Sequence, residues 1–313
     1  MNLNQTTRLL AAACALAILT PRAAMAADYA VVLKTLSSPF WVAMRDGVQA
    51  EAKKRGVQVD VFSGASEDDI TGQQRLLEDV VNKDYKAVGV APISPVNLIQ
   101  AMAAATHKGI YVVNIDEKVD ANQLKAAGGS VVAFLATDNF ALGEKAGHFV
   151  LDRVGAGGGK VAIIEGKAGN ATGDARRDGV KKALATQKNV QLVASLPADW
   201  DRSRALDVAA NILQRNPDLK AFYAANDTMA LGALQAVKNA DKLGKVVVVG
   251  TDGVPEAIAS VKQGELTATA AQDAAGIGAK ALDVMIDALK SKPAISVDAT
   301  PKYIPVDSTI VSK

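Results

Sequence analysis

The chain has 313 residues, of which 35 are basic, 33 are acidic and one is a cysteine. The near balance of charge gives no electrostatic reason to expect nucleic acid or an anionic membrane as a partner. A single cysteine excludes an intramolecular disulfide, and a length above about 250–300 residues predicts two domains.

The first 26 residues have the pattern of a secretory signal peptide. Arg8 precedes the apolar run 9–20, and the small-residue triplet Ala24-Met25-Ala26 marks a cleavage site. A lipid anchor on Cys14 is a weaker alternative, because apolar sequence continues past it. Cleavage after Ala26 leaves 33 basic and 33 acidic residues and no cysteine. We therefore expect an exported protein with no disulfide and no thiolate metal site, and we predict no metal and no cofactor.

Strands and helices alternate along the rest of the chain. The first series has predicted strands at 29–33, 57–61, 86–91, 110–115 and 131–136, and helices from Pro39, at 70–81 and at 96–107. The second series has predicted strands at 160–165, 191–196, 221–224, 246–250 and 266–271, and helices ending at 154 and at 174–185, 203–214, 228–240, 255–263 and 276–290. This alternation predicts an α/β fold with two similar Rossmann-like lobes, each a parallel sheet flanked by helices.

The turn after the first predicted strand has an unusual composition. Ser38 is positioned to cap the following helix, and Pro39 suits its first position because the missing N–H would have no partner there. Phe40 and Trp41 follow in the first helical turn, and Lys34 lies at the strand end. Open α/β sheets bind ligands at this end of their strands. The alternative is that both rings belong to the core.

Polar and aromatic residues follow several further strands. The candidate ligand-binding residues are Lys34, Phe40, Trp41, Asp116, Glu117, Arg176, Trp200, Asn226, Asp252 and Gln272. Carboxylates and amides match the geometry of vicinal hydroxyls, and aromatic faces cover the apolar patches of a pyranose ring. The set therefore predicts a sugar pocket. Taken singly, Asp227 or Asp252 could instead cap the next helix.

Catalytic alternatives are less well supported. The segment Gly155–Lys160 has the wrong glycine spacing for a phosphate loop and precedes a strand. The sequence has no G-x-S-x-G elbow or H-E-x-x-H helix, and only two histidines. Asp116 and Asp252 could in principle hydrolyse a glycoside as a carboxylate pair. We predict no catalytic residues, and an exported sugar-processing enzyme stays as the alternative.

Matching segments over essentially the whole mature chain resemble the periplasmic sugar-binding proteins of the ribose-binding type. These segments are 34–41, 114–118, 165–177, 197–202, 225–230, 248–253 and 271–272. The pair Asp116-Glu117 and Trp200 resemble the branch that binds D-allose, since ribose binders usually carry Asp-Arg and Phe there. Ser38 departs from the Asn that the family often has. LacI-type repressors share the fold but begin with a helix-turn-helix, where this chain has a predicted signal peptide.

The resemblance implies a non-enzymatic solute receptor that closes around one monosaccharide. D-allose is the leading candidate ligand, with ribose or another aldose as the alternative. It implies as partners the membrane permease of an ABC importer and, compatibly, a chemotaxis receptor. The N-terminal lobe would comprise 27–137 and 273–306, and the C-terminal lobe 138–272 and 307–313. The hinge would lie near residues 137–138, 272–273 and 307–308.

Overall fold

The computed structural model describes residues 27–313, so the predicted signal peptide and Cys14 lie outside the described residues. The elements up to the first crossing between sheets are β1 (Tyr29–Thr35), α1 (Pro39–Arg55), β2 (Val59–Gly64), α2 (Ile70–Val81), β3 (Ala87–Val90), α3 (Ile99–His107), β4 (Tyr111–Ile115), α4 (Ala121–Ala126) and β5 (Ala133–Thr137). The next elements are α5 (Asn139–Val154), β6 (Gly159–Glu165), α6 (Ala171–Leu184), β7 (Val190–Pro197), α7 (Arg202–Arg215), β8 (Ala221–Ala224), α8 (Asp227–Asn239), β9 (Val247–Asp252), α9 (Pro255–Gln263) and β10 (Ala268–Gln272). The last are α10 (Ala274–Ser291), β11 (Lys302–Val306) and β12 (Ser308–Ser312).

The strands form two sheets of six. The first has the order β11-β5-β4-β3-β1-β2, and all its neighbouring strands are parallel. The second has the order β12-β10-β9-β8-β6-β7 and is parallel except for β12, which runs antiparallel to β10. We call the first sheet with its helices the N-lobe and the second the C-lobe. This architecture confirms the predicted α/β class with two parallel-sheet lobes.

Each sheet is buried on both faces, which explains the continuous apolar runs of its strands. In β1, Val31 and Leu33 pack against α1 and α10, whereas Ala30 and Val32 pack against α2 and α3. Every residue of β1 is buried, including Lys34 at its end. A strand of this kind therefore places a charged side chain at the edge of a fully apolar core.

The chain passes between the sheets three times. It crosses from β5 to α5, from β10 to α10, and from β11 directly to β12. The crossings lie at the positions where the sequence places the hinge. The exact lobe boundaries and any motion about these segments remain predictions.

Glycines allow two helix pairs to pack closely. A Cβ on Gly47 would lie 2.0 Å from the carbonyl oxygen of Ala275, so α1 and α10 touch backbone to backbone. In the C-lobe, a Cβ on Gly143 would lie 2.1 Å from the carbonyl oxygen of Arg176, and one on Gly179 would lie 2.2 Å from that of Phe140. The second pair fixes α6, the helix that carries Arg176.

Three elements were not predicted. The helix α4 has only six residues, too few for a clear hydrophobic period. Pro305 lies in β11, where the missing N–H is tolerated because β11 is an edge strand. β12 is likewise a short edge strand. Among residues 27–313, the structure has no helix with the length and apolarity needed to cross a bilayer.

Candidate functional site

A cleft lies between the lobes, at the carboxyl ends of the parallel strands. Eight of the ten candidate residues line it: Lys34, Phe40, Trp41, Asp116, Arg176, Trp200, Asn226 and Asp252. The lining also contains Ser38, Glu67, Asn170 and Thr172. The structure therefore brings together residues that are up to 218 positions apart in the sequence, between Lys34 and Asp252.

The N-lobe wall contains a buried ion pair. Lys34 Nζ lies 3.4 Å from Asp116 Oδ2 and 3.8 Å from Glu117 Oε2. Burial acts to lower the pKa of Lys34, but the carboxylates of Asp116, Glu117 and Glu67 outweigh it, and the net shift is upward. Lys34 is therefore a charged hydrogen-bond donor on the cleft wall.

Two aromatic rings complete this wall. The Phe40 and Trp41 rings meet edge to face, with centroids 4.9 Å apart and planes at 87°. Trp41 Nε1 donates to Glu67 Oε1 at 2.7 Å, and Lys34 Nζ lies 5.3 Å from the centroid of the Trp41 ring. Both rings are buried beside the cleft, so the core and pocket interpretations both apply.

The structure departs from the sequence-based predictions at Ser38 and Glu67. Ser38 occupies the N-cap position of α1, but its side chain makes no capping hydrogen bond, so the predicted capping interaction is wrong. Its side chain instead belongs to the cleft lining. Glu67 was not predicted, although it follows β2 at the same edge of the sheet as the other candidates. That placement is the signal that could have identified it.

The C-lobe wall is organised around Arg176. Its Nη1 donates to Asp252 Oδ1 at 3.2 Å and to the Ala225 carbonyl at 2.6 Å, and its Nε donates to Asn139 Oδ1 at 2.8 Å. Gln272 Nε2 also donates to Asp252 Oδ1, at 2.6 Å. These bonds fix the orientation of the Asp252 carboxylate toward the cleft.

Asp252 is electrostatically perturbed. Burial raises its pKa to about 6, and the negative charges of Asp116 and Glu67 add to the increase, while Arg176 and Gln272 oppose it. Two of these groups belong to the opposite lobe, so the charge state of Asp252 depends on how close the lobes are. At neutral pH the carboxylate is mostly ionised and can accept hydrogen bonds from hydroxyl groups.

Neither aspartate considered as a helix cap has that role. Helix α9 begins at Pro255 with Val254 at its N-cap, so Asp252 does not cap it. Asp227 lies inside α8 and is fully buried, where it accepts from the Val254 N–H at 2.9 Å and from Thr269 Oγ1 at 2.7 Å. Burial, together with the charge of Asp252, raises the pKa of Asp227 well above its ordinary value.

Asn226 caps a helix and also lines the cleft. It is the N-cap of α8, because its Oδ1 accepts from the Met229 N–H at 2.8 Å. Since Oδ1 is used in this way, the amide NH₂ is the part of the side chain that can donate to a ligand. A capping bond thus orients the donor toward the cleft.

Unfavourable backbone conformations concentrate around the cleft. Asp116, Asp199, Trp200 and Asp252 all have positive φ angles, of 62°, 52°, 65° and 117°. Bulky residues rarely adopt such angles, and strain of this kind clusters at binding sites. The Trp200 ring packs on Gly166, where a Cβ would lie 2.1 Å from Cη2. The backbone therefore holds the indole in a fixed place.

Glu117 and Gln272 lie behind the cleft surface. Glu117 is fully buried, and its carboxylate contacts Asn170 and Ala171. Gln272 donates to Asp252, and its buried Oε1 has no hydrogen-bond partner within the described part of the chain. Across residues 27–313, no group of three or more His, Cys, Asp or Glu side chains could hold a metal ion.

The comparisons with known proteins agree in the kind of protein they identify. The D-allose-binding periplasmic protein of Escherichia coli is 56% identical over 296 residues, which are 95% of each chain. The ribose import binding protein of Salmonella typhimurium is 35% identical over 100% of each chain. Among solved structures, an ABC transporter periplasmic solute binding protein from Actinobacillus succinogenes with bound D-allose has a TM-score of 0.85 and 33% identity, and covers 91% of this chain and 96% of its own.

The family comparison confirms the resemblance drawn from the sequence. The family model described as periplasmic binding protein domain matches residues 29–293, which include most of both lobes and every residue of the cleft lining. The relatives named above are binding proteins by name. On this match and on the identities above, the chain belongs to the periplasmic binding protein family.

Proposed function

We propose that this protein is the sugar receptor of an ABC importer and binds one monosaccharide by closure of its two lobes. The supporting observation is the charge arrangement of the cleft. Lys34 faces Asp116 on one wall, and Arg176 faces Asp252 on the other. Each of these cations is paired with a carboxylate, so the cleft presents charged donors and acceptors to the hydroxyl groups of a polyol.

The aromatic rings add a second requirement on the ligand. Phe40 and Trp41 come from the N-lobe and Trp200 from the C-lobe, so a bound ring would have apolar faces on two sides. A pyranose satisfies this, because its equatorial hydroxyls point outward from the ring edge while its axial C–H groups lie on the faces. We also assign Gln272 to ligand binding, since its buried Oε1 is an acceptor in need of a donor.

D-allose is the leading candidate ligand. The supporting observations are the 56% identity to a D-allose-binding protein and the structural similarity to a protein with bound D-allose. Ribose is the second candidate, because relatives named as ribose binders are 35% identical over the whole chain. Calorimetric titration with D-allose, D-ribose, D-glucose and D-galactose tests the order. Tighter binding of ribose than of allose would contradict the assignment.

We propose binding without chemical conversion. Because the pKa of Asp252, about 6, lies in the range of a general acid, the enzymatic alternative requires a direct test. The protein should be incubated with D-allose and with aryl glycosides, and the products analysed by chromatography. We expect unchanged sugar, and turnover above that of an Asp252→Ala variant would support the enzyme instead.

The proposed site of action is the periplasm, with the membrane permease as partner and a chemotaxis receptor as a compatible second one. Export should remove residues 1–26, because the triplet Ala24-Met25-Ala26 fits the cleavage rule. The intact mass of periplasmic material measures this directly. A mature start upstream of Ala24, or a lipid on Cys14, would contradict the prediction.

A further inference from the structure

We propose that Glu117 is a positioning residue that holds the lobes together, and that it does not contact the sugar. This inference rests on the proposed function of closure around a ligand. Glu117 belongs to the N-lobe loop after β4, but its carboxylate binds the C-lobe. Oε2 accepts from Asn170 Nδ2 at 2.7 Å, and Oε1 accepts from the Ala171 N–H at 2.9 Å.

The contact is buried, and Glu117 itself does not line the cleft. Glu117 is fully buried and Asn170 is 5% exposed, and the cleft lining includes Asn170 but not Glu117. Each carboxylate oxygen already has a donor from the opposite lobe. Charge-assisted bonds of this kind, removed from solvent, are stronger than exposed ones.

Both partners are held in place before the lobes meet. Asn114 is buried and fixes the loop of Glu117, because its Nδ2 donates to the Glu117 carbonyl at 2.8 Å and its Oδ1 accepts from the Val119 N–H at 3.0 Å. On the C-lobe, Asn170 caps α6 by accepting from the Gly173 N–H at 2.9 Å. The cap leaves the Asn170 amide NH₂ directed at Glu117.

The contact also explains how closure affects ligand retention. The first turn of α6 offers its N–H groups and a favourable dipole to a negative charge, and Glu117 supplies that charge from the other lobe. The bonds exist only when the lobes are together, so they stabilise the closed form alone. Losing them should release the sugar faster.

An exchange of donor and acceptor tests the proposal. Glu117→Gln places an NH₂ opposite the NH₂ of Asn170. Asn170→Asp keeps the acceptor that caps α6 but places a carboxylate opposite Glu117. The double variant restores one donor facing one acceptor, and the amide oxygen introduced by Glu117→Gln would still accept from the Ala171 N–H. If the two residues act as a pair, the effects of the single changes will not add.

The measurements use Arg75→Cys and Asp207→Cys as label positions. Both residues are exposed and lie on α2 of the N-lobe and α7 of the C-lobe. The mature chain otherwise lacks cysteine. Single-molecule energy transfer gives the closed fraction without sugar, and stopped-flow fluorescence gives the dissociation rate of D-allose.

We expect each single variant to lower the closed fraction and to raise the dissociation rate about tenfold. The double variant should return to within about threefold of the parent. Additive losses in the double variant, or equal closed fractions in all four proteins, would overturn the proposal. If the parent fails to bind any sugar, the proposed function fails, whereas the sugar-free closed fractions still test the Glu117 contact.

Discussion

Asp252 experiences opposing electrostatic effects within the cleft. Burial and the carboxylates of the facing lobe raise its pKa to about 6, and Arg176 and Gln272 act in the other direction. Hydroxyl groups of a sugar would donate to the ionised form and would therefore lower the pKa on binding. Binding at low pH must then release a proton.

This linkage predicts a pH-dependent affinity. Because the sugar hydroxyls donate to the ionised carboxylate, the dissociation constant for D-allose should be constant at neutral pH. It should rise as the pH falls through the pKa of Asp252 in the sugar-free protein, by at most tenfold per pH unit. Calorimetry between pH 5 and 8 measures it. Asp252→Asn is the control and should bind weakly with a flat profile. A flat profile for the parent protein would show that Asp252 does not contact the sugar.

Trp200 offers a second test at the residue scale. It is half-buried, has a φ of 65° and lines the cleft opposite the N-lobe rings. Because a stacking ring contributes mainly to the complex, Trp200→Ala should weaken D-allose binding at least tenfold, or about 1.4 kcal/mol, with little change in unliganded melting. If Trp200 belonged to the core, the same substitution would instead lower the free energy of unfolding by about 3–5 kcal/mol.

Fluorescence provides an independent measurement for this prediction. Trp41 and Trp200 are the two tryptophans of the chain, and both line the cleft. Saturating D-allose should change the emission of the parent protein, and the change should be smaller in Trp200→Ala. If saturating D-allose left the emission of the parent protein unchanged, and Trp200→Ala bound D-allose normally, the proposed contact between the sugar and the tryptophan rings would be excluded.

At the scale of elements, helix packing determines where the site residues lie. Arg176 is held by the contact of α6 with α5, where Gly179 approaches the Phe140 carbonyl. Gly179→Ala should force α5 and α6 apart and lower the free energy of unfolding by about 1–3 kcal/mol. It should also weaken sugar binding, because Arg176 would be displaced with α6. Thermal melting and titration measure the two effects.

Gly157→Ala is the matched control for this change. A Cβ on Gly157 would meet nothing within 4 Å, and its φ lies outside the left-handed region. We expect a normal melting temperature and normal affinity for this variant. Equal behaviour of the two variants would show that the α5–α6 contact is not tight.

At the scale of elements, most of the fold could be predicted from the sequence. Buried parallel strands are continuous apolar runs, so the α/β alternation and the two sheets were predictable, whereas the edge strand β11 was not because it contains Pro305. Eight candidate residues line the cleft because strand ends converge in any such sheet. The bonds of Glu117 depend on the relative placement of two lobes, and local pattern carries no information on that.

At the scale of the whole molecule, polar contacts from the loop between β6 and α6 of the C-lobe connect it to the N-lobe. Lys167 of the C-lobe pairs with Asp68 of the N-lobe, and Glu117 binds Asn170. An exposed pair such as the first contributes little, about 0–1 kcal/mol, while the buried contact contributes more. A ligand that binds the closed form more tightly than the open form can therefore shift the population of closed molecules.

Small-angle scattering tests this shift in the unmodified protein. A compact chain of this size has a radius of gyration of roughly 19 Å, and an open cleft increases it. Saturating D-allose should lower the radius of gyration, because the sugar contacts both walls only in the closed form. Asp252→Ala at the same sugar concentration is the control and should stay at the unliganded value. Identical curves for the parent protein with and without sugar, at a concentration where calorimetry shows saturation, would mean that binding occurs without movement of the lobes.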